Sequence, residues 1–280
     1  MASRKTAYEG KNIYQKHLRI GKILSDRIAK LDGVIGILGT GSIGRKYGDP
    51  HSDLDFIVYA KKEYVKSIEK LISYGWIAYK GVSYDLVVAE YEKACRARVP
   101  SSHWTQLRRW DFQYSQILHD TRGRVKKLLK EKLVYPDSEQ EKLLKHYYWE
   151  IMEHLVFYPE LWRDRGNLYN ISDTLIRASQ NIILWYYAKH KLFEPYIPKW
   201  SYFHFETRNV PRPELLKKII VPVTNPVKSL KEAFKIRESL IDICQSIGIK
   251  FEMLSSAEAD IKMEKNWEQL PDKVKELLSW

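Results

Sequence analysis

The sequence is poor in cysteine and lacks long apolar runs. Only two of its 280 residues are cysteines, Cys95 and Cys244, and they lie far apart without the spacing of a zinc-binding motif. We therefore interpret both as reduced thiols. No run reaches the roughly 18 apolar residues of a membrane span, and residues 1–5 contain no apolar signal region. We expect a cytoplasmic protein that does not span a membrane.

The composition allows one large core or two modest ones, because 44% of the residues are hydrophobic. Lys and Arg outnumber Asp and Glu by 47 to 35, and the net charge of +12 attracts polyanions. The 19 Tyr and 9 Trp side chains could stack on nucleic-acid bases. Many of them fall within helical patterns, as at residues 147–149 and 185–187. We therefore interpret most of the aromatic residues as buried in a core or an interface.

A buried strand, a glycine-rich turn and a short helix are predicted between residues 33 and 47. The apolar run at residues 33–39 predicts the strand, and the turn lies at Thr40, Gly41 and Ser42. Free backbone N–H groups at such a turn can bind a phosphate, and the Ser42 hydroxyl adds another donor. Arg45 and Lys46 follow closely enough to assist.

Two aspartates follow this turn and precede an apolar strand. Asp53 and Asp55 are two positions apart, so in an extended chain their side chains project from the same face. Adjacent carboxylates repel each other unless a cation lies between them. Because Mg²⁺ prefers oxygen ligands and shares them with substrate phosphates, the pair predicts a magnesium site.

The same glycines also allow a competing interpretation. Gly39, Gly41 and Gly44 match the dinucleotide-binding pattern G-x-G-x-x-G. That pattern needs a long crossover helix and an acidic residue about 20 positions on, at the end of the next strand. Asp53 comes only 14 residues after Gly39 and precedes the next strand, so we disfavour a dinucleotide site. A purely structural turn remains the other alternative.

A third carboxylate, Asp85, interrupts the second of two short strands predicted at residues 76–81 and 82–89. An ionised side chain in an apolar strand is costly unless it is paired, exposed or bound to a metal. We favour a third metal ligand, and the alternative is an Asp on an open sheet face. Glu90 is the weaker candidate because its odd spacing from Asp85 places it on the opposite face.

These elements resemble the signature of the DNA polymerase beta-like nucleotidyltransferase superfamily. The resemblance rests on Gly41-Ser42, on the basic, glycine-containing stretch at residues 44–48, and on Asp53-Leu54-Asp55. The chain has a compact catalytic half followed by a helical half. In this organisation it is similar to the small-molecule branch of the superfamily, the aminoglycoside and lincosamide nucleotidyltransferases. The motif covers only about residues 33–90.

The resemblance implies transfer of a nucleoside monophosphate, AMP from ATP, to a hydroxyl with loss of pyrophosphate. Asp53 and Asp55 would bridge two Mg²⁺ ions, and Asp85 would hold one of them and serve as general base. Gly41, Ser42, Arg45 and Lys46 would bind the phosphates. Lys199, beside Trp200, resembles the position at which small-molecule members place a lysine on the triphosphate.

The expected fold is α+β in two domains. Residues 1–136 would form a nucleotidyltransferase domain, a mixed sheet flanked by helices, and residues 137–280 a helical bundle that binds substrate and nucleotide. Helices are predicted at residues 12–31, 64–72, 122–132, 139–157, 172–191 and 229–247, and a last strand at residues 112–118. Ser138 and Glu141 have the spacing of a capping box at the domain boundary.

His146, Glu150 and His154 share one face of the predicted helix at residues 139–157. A metal site is disfavoured, because positions i and i+8 lie about 12 Å apart on a straight helix. We expect Glu150 or Glu153 to face the cleft and meet a cationic acceptor instead.

The leading hypothesis is an antibiotic-resistance-like enzyme that adenylylates an aminoglycoside- or lincosamide-like molecule. A terminal nucleotidyltransferase acting on RNA or tRNA is the alternative that the positive charge favours, although no known RNA-binding motif is recognisable in the sequence. A protein-AMPylating enzyme and a non-catalytic nucleotide-binding relative also remain open. The expected oligomeric state is a monomer or a homodimer.

Overall fold

Among the residues that the structure describes, five strands in the first part of the chain form one mixed sheet. They are β1 (Val34–Gly39), β2 (Leu54–Ala60), β3 (Ile77–Tyr79), β4 (Val82–Glu90) and β5 (Gln116–Asp120), in the order β3-β4-β2-β1-β5. Strands β2 and β4 run parallel, and the other neighbours are antiparallel. This computed structural model describes residues 11–72, 77–79, 81–97, 103–195, 201–208, 210–220, 222 and 227–251.

Helices flank the sheet and account for most of the later chain. They are α1 (Tyr14–Ile28), α2 (Gly41–Arg45), α3 (Val65–Ile72), α4 (Tyr91–Arg96), α5 (His103–Tyr114), α6 (Arg124–Lys132), α7 (Asp137–Ile151), α8 (Tyr158–Asp164), α9 (Leu168–Lys189), α10 (Ser201–Thr207), α11 (Pro213–Ile219) and α12 (Leu230–Ser246). A π-helical turn, Met152–Phe157, joins α7 to α8. Within the described ranges, no helix is both long and apolar enough to cross a membrane.

The two faces of the sheet are covered by different helices. Side chains of β2 alternate, so Leu54, Phe56 and Val58 pack with the apolar faces of α1 and α3. On the opposite face Tyr59 packs with residues of α4 and α6. Helix α6 is held there because the Asp120 carboxylate accepts hydrogen bonds from two backbone N–H groups in its first turn. The acidic beginning of β2 lies on this second face.

The later helices share a separate core. Buried residues of α9 recur with the spacing of one helix face, and they pack with apolar residues of α7, α11 and α12. The predicted helices at 139–157, 172–191 and 229–247 are confirmed, with shifted ends. The mixed α+β class is also confirmed. Arrangement of these helices as a bundle, and a domain boundary after residue 136, stay predictions.

Two local predictions are wrong. Residues 112–114 belong to the last turn of α5, and only the strand β5, from Gln116 onward, is extended. The helix brings Trp110 and Tyr114, four residues apart, onto one side, where their rings are 5.6 Å apart. Ser138 does not cap α7, because the helix already begins at Asp137 after Pro136, whose fixed backbone suits a helix start.

Candidate active site

The parallel pairing of β2 and β4 brings two of the three predicted carboxylates together. Asp55 is the direct partner of Asp85 in the register. Residues paired in this way project to the same face of a sheet, and neighbouring strands are about 4.8 Å apart. Asp53 precedes Asp55 by two positions, and its charge acts on Asp55. The three predicted carboxylates therefore gather where β2 and β4 begin, and we call Asp53, Asp55 and Asp85 the acidic edge.

The turn after β1 is shaped around Asp55. The backbone N–H of Thr40 donates to the Asp55 carbonyl oxygen at 2.9 Å. At Gly41 the backbone φ is +49°, and a Cβ atom there would lie 1.6 Å from the Asp55 carboxylate oxygen Oδ2. Only glycine combines this left-handed conformation with room for the carboxylate. The predicted glycine turn therefore contacts the acidic strand directly, at Gly41 and Asp55.

In this structure the Ser42 hydroxyl forms hydrogen bonds within the protein. Its side chain is 1% exposed, and its hydroxyl donates to the Asp53 carbonyl oxygen at 2.7 Å. Any contact between Ser42 and a phosphate would have to come from its backbone N–H, since the hydroxyl points inward. Its predicted role in phosphate binding stays a prediction, and its observed role is to hold the loop that carries Asp53.

Residues outside the motif hold the loop from the other side. The backbone N–H of Ile13 donates to the Gly48 carbonyl at 2.7 Å, and the Asn12 side chain accepts from the Gly48 N–H at 3.3 Å. From β5, the Gln116 amide donates to the Ile43 carbonyl at 2.6 Å. These residues could not be predicted from local patterns because each acts across at least 35 positions of the chain. No local pattern signals such contacts.

The acidic edge holds more negative charge than the motif alone predicts. Burial raises the pKa of Asp55 to about 6, together with the nearby charges of Asp53, Asp111 and Asp85 and against the opposing charge of Arg45. Asp111 was missed because it carries no motif and precedes the segment that was misassigned as a strand. Helix α5 packs against α2 and brings Asp111 to this edge.

This crowding suits a divalent cation. Asp53, Asp55 and Asp85 offer only oxygen donors, which Mg²⁺ prefers, and a bound cation would offset their mutual repulsion. As they stand, no three Asp, Glu, His or Cys side chains in the described part of the chain are arranged to hold a metal ion. Metal binding would therefore require the carboxylates to converge. The metal-ligand roles stay predictions.

Two arginines meet beside the acidic edge, one from each half of the chain. Arg45 ends α2, and its carbonyl oxygen accepts a hydrogen bond of 3.4 Å from Arg208. The Arg208 guanidinium lies over the Tyr114 ring, 4.1 Å from its centroid, and pairs with no carboxylate among the residues that the structure describes. Lys46 is exposed at the end of α2. Sequence reasoning found Arg45 and Lys46 but missed Arg208.

Comparisons with known proteins add little to this geometry. No protein-family model matches the chain, and no curated protein matches it. One solved structure to which the chain is similar is a nucleotidyltransferase-like protein from Exiguobacterium sibiricum. The TM-score is 0.44 at 12% sequence identity, over 82% of this chain and 75% of that one. A likeness of this size does not fix the family of the chain.

A buried histidine joins α5 to the later helices near Arg208. The His204 ring lies between the hydroxyls of Tyr114, 2.9 Å from Nε2, and Tyr187, which bonds to Nδ1. Burial, aided by the charge of Arg208, lowers the pKa of His204 to about 3. The ring is therefore neutral at physiological pH, and it fixes the position of the aromatic surface under Arg208.

The remaining candidates either make no contact with this edge among the described residues or lie outside those residues. Lys199 and Trp200 fall among residues that the structure does not describe. Glu150 lies 3.5 Å from His154 within its own helical segment, and Glu153 is exposed. The predicted contact of either glutamate with an acceptor stays a prediction.

Proposed function

We propose that the protein transfers a nucleoside monophosphate from a nucleoside triphosphate to a hydroxyl group and releases pyrophosphate. The observation that carries this proposal is the register that pairs Asp55 with Asp85, with Asp53 directly before the strand and close enough for its charge to act on Asp55. The glycine turn packed against Asp55 supports it, because the turn and the acids form one continuous arrangement.

In this proposal Asp53 and Asp55 hold Mg²⁺, and Asp85 holds it on the side of the acceptor. Two such ions, when bound, would activate the acceptor hydroxyl and stabilise the departing pyrophosphate. Asp85 is exposed, so an acceptor can approach it from solvent. It would take the hydroxyl proton as the oxygen bonds to the α-phosphorus and the bond to pyrophosphate breaks.

Positive charge for the triphosphate would come from both halves of the chain. Arg45 and Lys46 extend from α2, and Arg208 joins them from the later helices through its contact with the Arg45 carbonyl. A guanidinium with no carboxylate partner in the described residues is available to an anion, and its planar fork suits phosphate oxygens. We propose Arg208 as a phosphate ligand alongside Arg45 and Lys46.

We further propose that the nucleotide is ATP and the acceptor a small hydroxylated molecule of aminoglycoside or lincosamide type. The resemblance of the motif and the large helical half support this choice. One observation favours RNA as a second candidate acceptor. The exposed side of α1 carries Lys16, Arg19 and Lys22, and the helix begins beside the loop that leads to Asp53.

The test is pyrophosphate release from each nucleoside triphosphate with Mg²⁺ and a panel of aminoglycosides, lincosamides and tRNA. We expect release with a small-molecule acceptor, and its loss in Asp53→Asn, which keeps the shape of the side chain. Asp26→Asn on the exposed side of α1 is the matched control and should retain activity.

Absence of release with every acceptor, or equal release from Asp53→Asn, would contradict the proposal. Release with tRNA alone would favour the second candidate. In that case RNA binding should weaken steeply as salt rises, because counterion release dominates such binding.

A further inference from the structure

A buried histidine lies directly behind the Gly-Ser turn. His17, on the inner face of α1, is 0% exposed, and its Nδ1 atom lies 3.2 Å from the Ser42 hydroxyl oxygen. The imidazole also packs against Gly48, where an added Cβ would come within 2.5 Å of Nδ1. The ring therefore fills a space formed by both ends of the loop at residues 42–48.

Hydrogen bonding fixes the protonation of this ring. The single proton of the Ser42 hydroxyl goes to the Asp53 carbonyl oxygen, which can only accept. Ser42 must then accept from His17, so Nδ1 carries the hydrogen of the neutral imidazole. A chain of two hydrogen bonds thus runs from His17 through Ser42 to the backbone of Asp53.

Stability alone does not account for a histidine at this position. The other ring nitrogen, Nε2, is buried and has no hydrogen-bond partner within the described part of the chain. An unsatisfied buried polar atom costs free energy, whereas an apolar side chain of similar shape would not incur this cost. Leucine, which also branches at Cγ, would fill much of the same space.

We propose that His17 is a positioning residue, which fixes the Ser42 hydroxyl on the Asp53 carbonyl and thereby holds the first of the three carboxylates in place. The proposal rests on the proposed nucleotidyl transfer. Partners that orient metal ligands from behind typically contribute about 10- to 100-fold in metal affinity or activity. His17 acts on Asp53 through Ser42 and not directly, so we expect an effect at the low end of this range, roughly 10-fold.

The test compares His17→Leu, which fills the space without a donor, with His17→Asn, whose amide can donate from near the position of Nδ1. We expect His17→Leu to lower kcat by roughly 10-fold and to raise the Mg²⁺ concentration needed for half-maximal rate. Its free energy of unfolding should equal or exceed that of the wild type. His17→Asn should retain most of the rate.

A double-mutant cycle shows whether His17 acts through Ser42. If it does, His17→Leu should add little to the loss caused by Ser42→Ala, because both changes break the same chain of bonds. Ser25→Ala is the matched control, since Ser25 is also buried on α1 but its hydroxyl has no hydrogen-bond partner in the described residues. It should leave the rate unchanged.

Two readouts do not depend on activity. Nitrogen NMR should show the hydrogen of His17 on Nδ1, and backbone hydrogen exchange at residues 40–55 should be faster in His17→Leu than in the wild type. Unchanged hydrogen exchange together with full activity in His17→Leu would overturn the proposal. It would also be overturned if the rate losses of His17→Leu and Ser42→Ala multiplied in the double variant. If the wild type transfers no nucleotide, the proposed function fails, while hydrogen exchange still decides whether His17 holds the loop.

Discussion

Replacing Gly41 by alanine tests the contact on which the acidic edge depends. The added Cβ would lie 1.6 Å from Oδ2 of Asp55, whereas ordinary contacts begin at 3.4 Å, so the carboxylate has to move. The left-handed backbone at φ +49° adds about 1–2 kcal/mol of strain for a residue with a side chain. A misplacement of about 1 Å can slow a reaction by about 100-fold. We therefore expect both a loss of stability and a loss of rate.

The matched control is Gly123→Ala. Gly123 also has a left-handed backbone, at φ +71°, but an added Cβ there meets nothing within 4 Å. Gly123→Ala should lose about 1–2 kcal/mol in urea unfolding from backbone strain alone, and Gly41→Ala should lose at least as much because the Cβ clash adds to the strain. Only Gly41→Ala should also lose about 100-fold in pyrophosphate release. Full activity in a folded Gly41→Ala protein would refute the argument that this turn holds Asp55.

Three further predictions concern charge. In metal-free protein the raised pKa of Asp55, about 6, means that the native state keeps a proton that the unfolded state releases near pH 4. Stability should therefore fall by at most about 3 kcal/mol as pH rises from 4 to 7, and Asp55→Asn should flatten this fall in urea unfolding with EDTA. Glu139→Gln breaks a 2.7 Å buried pair with Arg109 and should cost about 3–5 kcal/mol by thermal or urea unfolding. Glu141→Gln, in an exposed pair with Lys145, is the control and should leave stability nearly unchanged. Arg208→Ala should raise KM for the nucleotide in steady-state kinetics. A variant that lowered kcat and the free energy of unfolding together would show that Arg208 supports the fold and does not bind phosphate.

The acidic edge was predictable from local chemistry. The two-residue spacing of Asp53 and Asp55 fixes their shared face in any extended strand, and an Asp within an apolar strand at position 85 is unusual by itself. The local pattern does not predict the register that pairs Asp55 with Asp85, because that register depends on how β2 and β4 align across an intervening helix and strand.

Other features were missed because distant segments create them. His17 and Gln116 reach the loop from α1 and β5, and Arg208 reaches Arg45 across 163 positions. The misassigned strand has a local cause. Phe112, Tyr114 and Leu118 are spaced in steps of two or four, so they imitate the alternation of a strand although the first two are helical.

Label transfer tests the central claim most directly. The wild type is incubated with Mg²⁺, an acceptor and ATP labelled at either the α- or the γ-phosphate, beside Asp85→Asn. We expect the acceptor to gain the α-label and not the γ-label, and we expect EDTA and Asp85→Asn each to abolish the transfer. Transfer of the γ-label, or α-label transfer that persists in Asp85→Asn or without a divalent metal, would contradict it.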